Sequence, residues 1–540
     1  MNAMGEGLRR APRWSPHRLG AGAKLDCEVL VVGSGAGGAS VAATLTAAGC
    51  DVLMIEEGPY LDAEHLPGSL PASQAAMWRG GGLLATLGEV PVAYAEGRCV
   101  GGGTEINSAI FQRTPDVLLD EWAARHGIAD YGAAALKPYF DRAARVVHAS
   151  APPADPGPPT EVLRRGGEAL GWEVTALTRG MRQCVGTNQC SAGCPTGAKQ
   201  SMTATLIREA LAGGMRLVAQ CRALRLRHRH GWASGLLASA RGADGRRHRV
   251  EIRARHVFLC AGAVHSPALL RRSGIRHNVG NSLRMHPTLK ATALFPEPLD
   301  AHEHRLPLAA VTEFMPELRL GGSVMLPGTL AMALAEDWAQ RSWLMPEWRR
   351  CGSYYAMVRA RGTGTIRTVP FASEPLVRYT LAEQDWRMLA LGSQRLAEVM
   401  FAAGAQVVYP SITGHPGWRS LAELRADAPH ALPRSRTNLM TIHIFSSLPP
   451  GEDRTYTATD SYGRLHALDN VVVADASQIP EAPGVNPQGT IMALAFRNAE
   501  AFLARRGEGD TAGLAGSQKE AGEAALRQGR RYADAGGCEQ

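Results

Sequence analysis

The chain has 540 residues, 45% of them apolar and 20% charged, with a formal net charge of +8. That length can bury more than one core, and the composition excludes a disordered or collagen-like chain. No apolar run is long enough to cross a bilayer, and the basic residues, mostly arginine and scattered along the sequence, form no stripe interleaved with aromatics, which argues against a nucleic-acid binder.

Residues 1–24 carry arginines, Arg9-Arg10 among them, but no apolar core of a secretory signal. They read as a mobile tail on a cytoplasmic protein. Residues 29–58, VLVVGSGAGGASVAATLTAAGCDVLMIEEG, then open a βαβ unit. A β-branched run at 29–32 is a buried parallel strand. Gly33 permits a tight turn, Gly35 lets the backbone approach a pyrophosphate, and Gly38 lets the following helix pack on the strand. The helix start offers free N–H groups and a positive dipole end to phosphate. Glu56 closes the second strand, placed to accept hydrogen bonds from a ribose 2′-OH, and its charge disfavours the 2′-phosphate of NADP.

A loop rich in glycine follows at 97–107, then a helical stretch at 117–147 and another at 201–213. Strands are predicted at 215–226 and 248–260, the run Arg225–Arg229 being the exposed end of the first. Residues 289–440 are less regular, with many prolines, and their tryptophans (among them Trp338, Trp343, Trp348, Trp386) and methionines (among them Met315, Met325, Met332, Met345, Met357, Met388) stand out. The last part returns to strand (470–475), turn and helix (490–503), before a polar tail. The fold class is therefore α/β, α+β overall: a Rossmann-type nucleotide-binding domain made of separated segments (25–110, 185–288, 441–505), with a second domain (111–184, 289–440) inserted between them. Residues 506–540 form a second tail.

Four motifs in order resemble the glucose–methanol–choline (GMC) oxidoreductases, FAD enzymes that oxidise alcohols. They are the fingerprint ending at Ile55-Glu56-Glu57-Gly58-Pro59, the loop Gly97–Asn107, the stretch 262–274 with the turn 279–287, and the segments Asp475-Ala476-Ser477 and 484–495. The resemblance implies FAD held by Gly33, Gly35, Gly38, Glu56, Gly101, Gly102, Asn107, Ala223, Asp475, Ala476 and Pro487. It implies a substrate domain built on an antiparallel sheet. Such enzymes move a hydride from the carbinol carbon to flavin N5 and need a base and an orienting group at the hydroxyl. By the resemblance the base is His443 and the partner Asn486, since an amide cannot usefully accept a proton. His265 and His286 match positions that support the fold.

Of the ten cysteines, seven are dispersed (Cys27, Cys50, Cys99, Cys221, Cys260, Cys351, Cys538) and read as small apolar residues or tail. Cys184, Cys190 and Cys194, spaced C-x5-C-x3-C-P, suit soft-metal ligation better than disulfides. Their flanks resemble the bacterial FAD-dependent glucose dehydrogenase catalytic subunit, which implies a three-iron cluster relaying electrons to a cytochrome or quinone. They also resemble fatty-alcohol oxidases, which carry a similar stretch with no established cluster, so a plain loop, an iron–sulfur cluster and zinc all stay open. The expected activity is oxidation of a hydrophobic or bulky alcohol with a non-oxygen acceptor. The alternatives are an oxidase using O2, a lyase keeping FAD as scaffold, and a non-catalytic electron-transfer subunit.

Overall fold

Two sheets carry the chain. The computed structural model describes residues 22–506 apart from 62, 154, 243 and 428–431, so the expected tails, with Cys538, lie almost wholly outside the described residues.

The first sheet grows from the fingerprint. β1 (Lys24–Val32), α1 (Ala36–Ala47) and β2 (Val52–Ile55) follow in order. β1 is central because its inner residues are apolar on both faces: Val29, Leu30 and Val31 are fully buried. It pairs in parallel with β2 and with the strand Arg247–Leu259, and Arg216–Val218 and Val471–Val473 extend the parallel part. Antiparallel strands Trp232–Arg241 and Cys221–Arg229 continue from the first half of 247–259. The strand 232–241 escapes sequence reading because its residues are small and lack β-branched alternation; its partners make it a strand. The segment 117–147 divides into helices Asp116–His126 and Ala133–Val146, broken where Gly127 takes a left-handed conformation. The helix expected at 201–213 is the short Leu206–Ala212.

The arginines are not scattered in space. Registers place Arg225 beside Leu237, Leu237 beside Glu251, Ser239 beside Arg249, and Arg241 beside Arg247. Alternation along each strand then puts Arg225, Arg227, Arg241, Arg247, Arg249, Arg253 and Arg255 on one exposed sheet face.

The second sheet has nine strands, in the order 84–85, 92–94, 439–441, 288–294, 351–358, 318–322, 309–311 and 174–176, with 407–410 also on 288–294. All pairs are antiparallel except 92–94 with 439–441. The irregular-looking 289–440 thus supplies most of this sheet. The helix Glu383–Ala402 covers it, burying Trp386, Leu389, Leu396 and Met400. The tryptophans and methionines divide between core and surface: Met325, Met357 and Trp386 are buried, while Met332, Trp338 and Trp343 are exposed.

Candidate active site

A two-stranded ribbon places the key histidines. Arg284 pairs with Phe445 and Met285 with Ile444, so the next step of the register sets His286 beside His443. The His286 N–H donates to the His443 carbonyl at 3.3 Å. The two rings meet edge to face, with Nδ1 3.1 Å from Nδ1. Thr441 closes a tight turn before His443: its Oγ1 accepts from the His443 N–H and donates to the His443 carbonyl.

Asn486 arrives from the other direction. Gly484, at φ +70°, lies so close to Pro316 that a Cβ would stand 2.6 Å from the Pro316 carbonyl oxygen. That turn aims the Gly484 N–H at His286 Nε2, 3.0 Å away. It also sets Asn486 Nδ2 3.2 Å from His443 Nε2. The sequence-predicted pair is therefore brought together.

Arg319, unforeseen from sequence, completes the cluster from strand 318–322. Its guanidinium donates to Asn486 Oδ1 at 2.7 Å, to Tyr355 Oη at 3.0 Å and to Gln112 Oε1. Burial holds His443 down to about 3, with the Arg319 charge adding to the effect. Burial also holds His286 well below the ordinary histidine range, helped by His443, Arg319 and Arg359. In both cases the shift favours the neutral ring. His286 is thus part of this network rather than a remote support of the fold.

The residues expected to bind a nucleotide assemble at the ends of β1 and β2. A Cβ on Gly38 would lie 1.9 Å from the Gly33 carbonyl oxygen, whereas one on Gly35 would meet nothing within 4 Å. Gly38 and Gly33 serve packing; Gly35 fronts open space. No side chain caps the α1 N-terminus, which leaves its amides for an anion. Ser34 Oγ donates to Glu56 and accepts from the Gly101 N–H, joining the fingerprint, the acid and the 97–107 loop. Burial raises the Glu56 carboxyl, against the hydrogen bonds from Gly58 and Ser34. Gly102 stands against Gly35, its added Cβ 2.9 Å from the Gly35 Cα. Asn107 Nδ2 donates to Gln488 at 2.8 Å, beside Pro487. Ala223 follows two residues after Cys221, whose N–H donates to the Glu56 carbonyl. Asp475 is fully engaged inside the protein, accepting from the Gly262 N–H, Ser266 and Ser477. Only its backbone is left to meet a ligand, as is true of Ala476 in the turn 476–478. The open cradle at Gly35, the free helix end and the buried acid fit a dinucleotide.

The three cysteines ring a cavity of about 10 Å³, shared with Arg179, Thr196 and Arg305, room for one water. Cys190 Sγ accepts from Arg179 at 3.0 Å. Although burial pushes the Cys194 thiol up, hydrogen bonds from Thr196 and nearby backbone amides outweigh it and hold it below its ordinary value. Their sulfurs are not mutually within 4.8 Å; among the described residues only Asp300, His302 and Glu303 form such a set. Lys199, fully buried, donates to the carbonyls of Glu105, Asn107 and Cys190. It welds the cysteine loop to the Asn107 loop. A surface cleft of about 360 Å³ beside Gln112 is lined by Phe111, Arg113, Ala144 and Thr178, and neither His443 nor Asn486 lines it.

Residues 74–288 and 360–495 match the N- and C-terminal family models of the GMC oxidoreductases. An uncharacterized GMC-type oxidoreductase of Sinorhizobium fredii is 54% identical over 480 residues, 89% of this chain and 95% of that one. A long-chain-alcohol oxidase of Arabidopsis thaliana is 27% identical over 513 residues, 88% of this chain and 66% of that one. Among solved structures, pyridoxine 4-oxidase from Mesorbium loti superposes with a TM-score of 0.68 at 19% identity, covering 88% of this chain and 99% of that one. No helix among the described residues is long and apolar enough to cross a membrane.

Proposed function

The chain belongs to the GMC oxidoreductase family, and from that premise we propose that it is an FAD-dependent oxidase converting an alcohol CH–OH to a carbonyl. One observation carries the reading: His443 Nε2 and Asn486 Nδ2 stand 3.2 Å apart, on segments tied through Gln488 to the Asn107 loop of the dinucleotide cradle. Two nitrogens so placed can hold one hydroxyl oxygen. FAD, when bound, supplies the hydride acceptor. Gly35, the α1 N-terminus and Glu56 would hold its phosphates and ribose, with Gly101, Gly102, Asn107 and Pro487 around the rest. Gln112 and Arg319 anchor Asn486, and Thr441 anchors His443.

Molecular oxygen is the acceptor in this reading. The named relatives support it: a long-chain-alcohol oxidase and, at the level of fold, pyridoxine 4-oxidase. The cavity between Cys184, Cys190 and Cys194 has room for a water, and this reading assigns the cysteine loop no part in the electron path.

The test is anaerobic mixing of the purified flavoprotein with a panel of primary and secondary alcohols. Bleaching of the flavin bands, reversed by air with release of peroxide, is the expected outcome. A flavin that stays oxidised with every alcohol would favour the lyase. A flavin that bleaches but reoxidises only with a quinone or cytochrome would move the acceptor away from oxygen. Iron and sulfide analysis after strictly anaerobic handling should find neither.

A further inference from the structure

We propose that His286 and Arg319 are positioning residues that turn His443 and Asn486 into two hydrogen-bond donors aimed at one substrate oxygen; this rests on the reading that the pair holds the alcohol oxygen. Four contacts in a row, from the Gly484 N–H to the Arg319 guanidinium, join two groups that can only donate.

At one end the backbone N–H of Gly484 points at His286 Nε2, 3.0 Å away. That nitrogen must be bare. A neutral imidazole with a bare Nε2 carries its proton on Nδ1, and His286 Nδ1 faces His443 Nδ1 at 3.1 Å. His443 Nδ1 must then accept, which leaves the His443 proton on Nε2. At the other end the Arg319 guanidinium, which has no acceptor, lies 2.7 Å from Asn486 Oδ1. That contact fixes the amide with its NH2 toward His443.

Two N–H groups therefore meet at 3.2 Å between His443 Nε2 and Asn486 Nδ2, with nothing between them to accept. Flipping the amide only moves the clash, placing Nδ2 against Arg319. Moving the His443 proton to Nδ1 forces one onto His286 Nε2, against the Gly484 N–H. Protonating either ring adds a further donor, and the burial of both histidines, 0% and 8% exposed, opposes it. One link is always short of an acceptor. An oxygen atom with two free lone pairs, inserted at that link, satisfies both donors at once. This is the logic of an oxyanion hole built from side chains.

The assignment changes the part expected of His443. A base there would need a bare Nε2, which the Gly484 N–H forbids through His286. As the carbonyl forms, the O–H bond breaks with its proton, now acidic, passing to water and its electron pair becoming the second carbon–oxygen bond, while the two N–H groups, with the Arg319 charge behind Asn486, hold the oxygen. Nothing in the sequence singles out Arg319, which lies in an ordinary strand, or separates His286 from any structural histidine.

The test uses holoenzyme labelled with 15N-histidine, the His443 ring being assigned by comparison with a His443→Gln variant. Ring nitrogen shifts at pH 7 should show His443 as the Nε2–H tautomer, and this bias should be lost in His286→Phe. A His443 ring that is Nδ1–H, or an imidazolium, in the wild type would overturn the proposal. A bias unchanged in His286→Phe would remove His286 from the positioning role. The flavin-reduction rate of His443→Gln gives a second reading, taken at a flavin content equal to the wild type's so that a folding defect is separated from a chemical one. Glutamine keeps a donor but accepts no proton, so the rate should fall by less than about a hundredfold; a loss of ~10²–10⁴, typical of removing an acid–base group, would restore the base. The tautomers are read without any substrate. If no alcohol bleaches the flavin, the functional reading fails while the tautomer result stands separately.

Discussion

Arg319 is 1% exposed, and every acceptor it reaches, Gln112, Tyr355 and Asn486, is neutral. Its Nε has no partner. A buried cation without a carboxylate is costly, and such strain is commonly kept where charge is needed. Here the charge adds to burial in keeping both imidazoles neutral. Arg319→Met should therefore let His443 titrate closer to its ordinary range, visible in the same ring-nitrogen shifts as a function of pH; an unmoved titration would assign the depression to burial alone. The depressed value also couples stability to acidity. The folded His443 value lies below the unfolded one, so the unfolded state binds more protons as pH falls. The stability tied to the neutral ring is complete above pH ~6.5 and is lost progressively as the pH falls toward about 3. Between pH 6 and 4.5, holoenzyme stability from urea unfolding should fall faster in the wild type than in His443→Gln, by about 1.4 kcal/mol per pH unit. Equal slopes would mean that the ring is already charged in the folded protein.

The glycines of the first βαβ unit separate folding from binding. Gly38→Ala would drive a methyl into the Gly33 carbonyl, so helix and strand must part; a loss of about 1–3 kcal/mol is expected even without cofactor. Gly35→Ala meets only open space, so the apoprotein should melt as the wild type does while the flavin-to-protein ratio falls. Were both variants equally unstable as apoprotein, Gly35 would be a packing residue and the cradle would lie elsewhere. Lys199→Met strands three carbonyls from two loops. It should lower flavin content more than Cys194→Ser does, if the cysteine loop acts through its weld to Asn107. These elements were legible in sequence because their chemistry is local: strand, glycines and acid lie within one short stretch. Asn486 was legible from its flanks. The neighbours that decide its orientation were not, because Gln112, Arg319 and Tyr355 come from distant segments, and only the register of 284–285 against 444–445 sets His286 at His443. The second sheet was expected only through the family resemblance, and its individual strands were not located for a related reason: they are short, irregularly spaced and defined by partners far away in the chain.

At the scale of the whole molecule the same gap separates a net charge from its field. The formal charge of +8 says nothing of place, and arginines spread through the sequence read as solvated surface. Folding gathers seven of them on one face of strands 221–229, 232–241 and 247–259. Glu251, which pairs with Arg227 and Arg253, offsets little of this. Arg241 and Arg247 stand directly opposite each other, an arrangement that opposite charges would favour and like charges oppose. A face of one sign raises the local potential above what the sum implies, within about 10 Å at 0.1 M salt. The comparison that isolates the face holds net charge constant. One triple variant, Arg225→Ser, Arg241→Ser and Arg249→Ser, thins the face; another, Arg165→Ser, Arg208→Ser and Arg425→Ser, removes exposed arginines spread over three helices. The first should elute from a sulfonate column at distinctly lower salt than the second, and relief of repulsion should leave it at least as stable at low ionic strength. Identical elution would show that the charges act only as a total. The sheet register would then order the arginines without giving the protein a directed field.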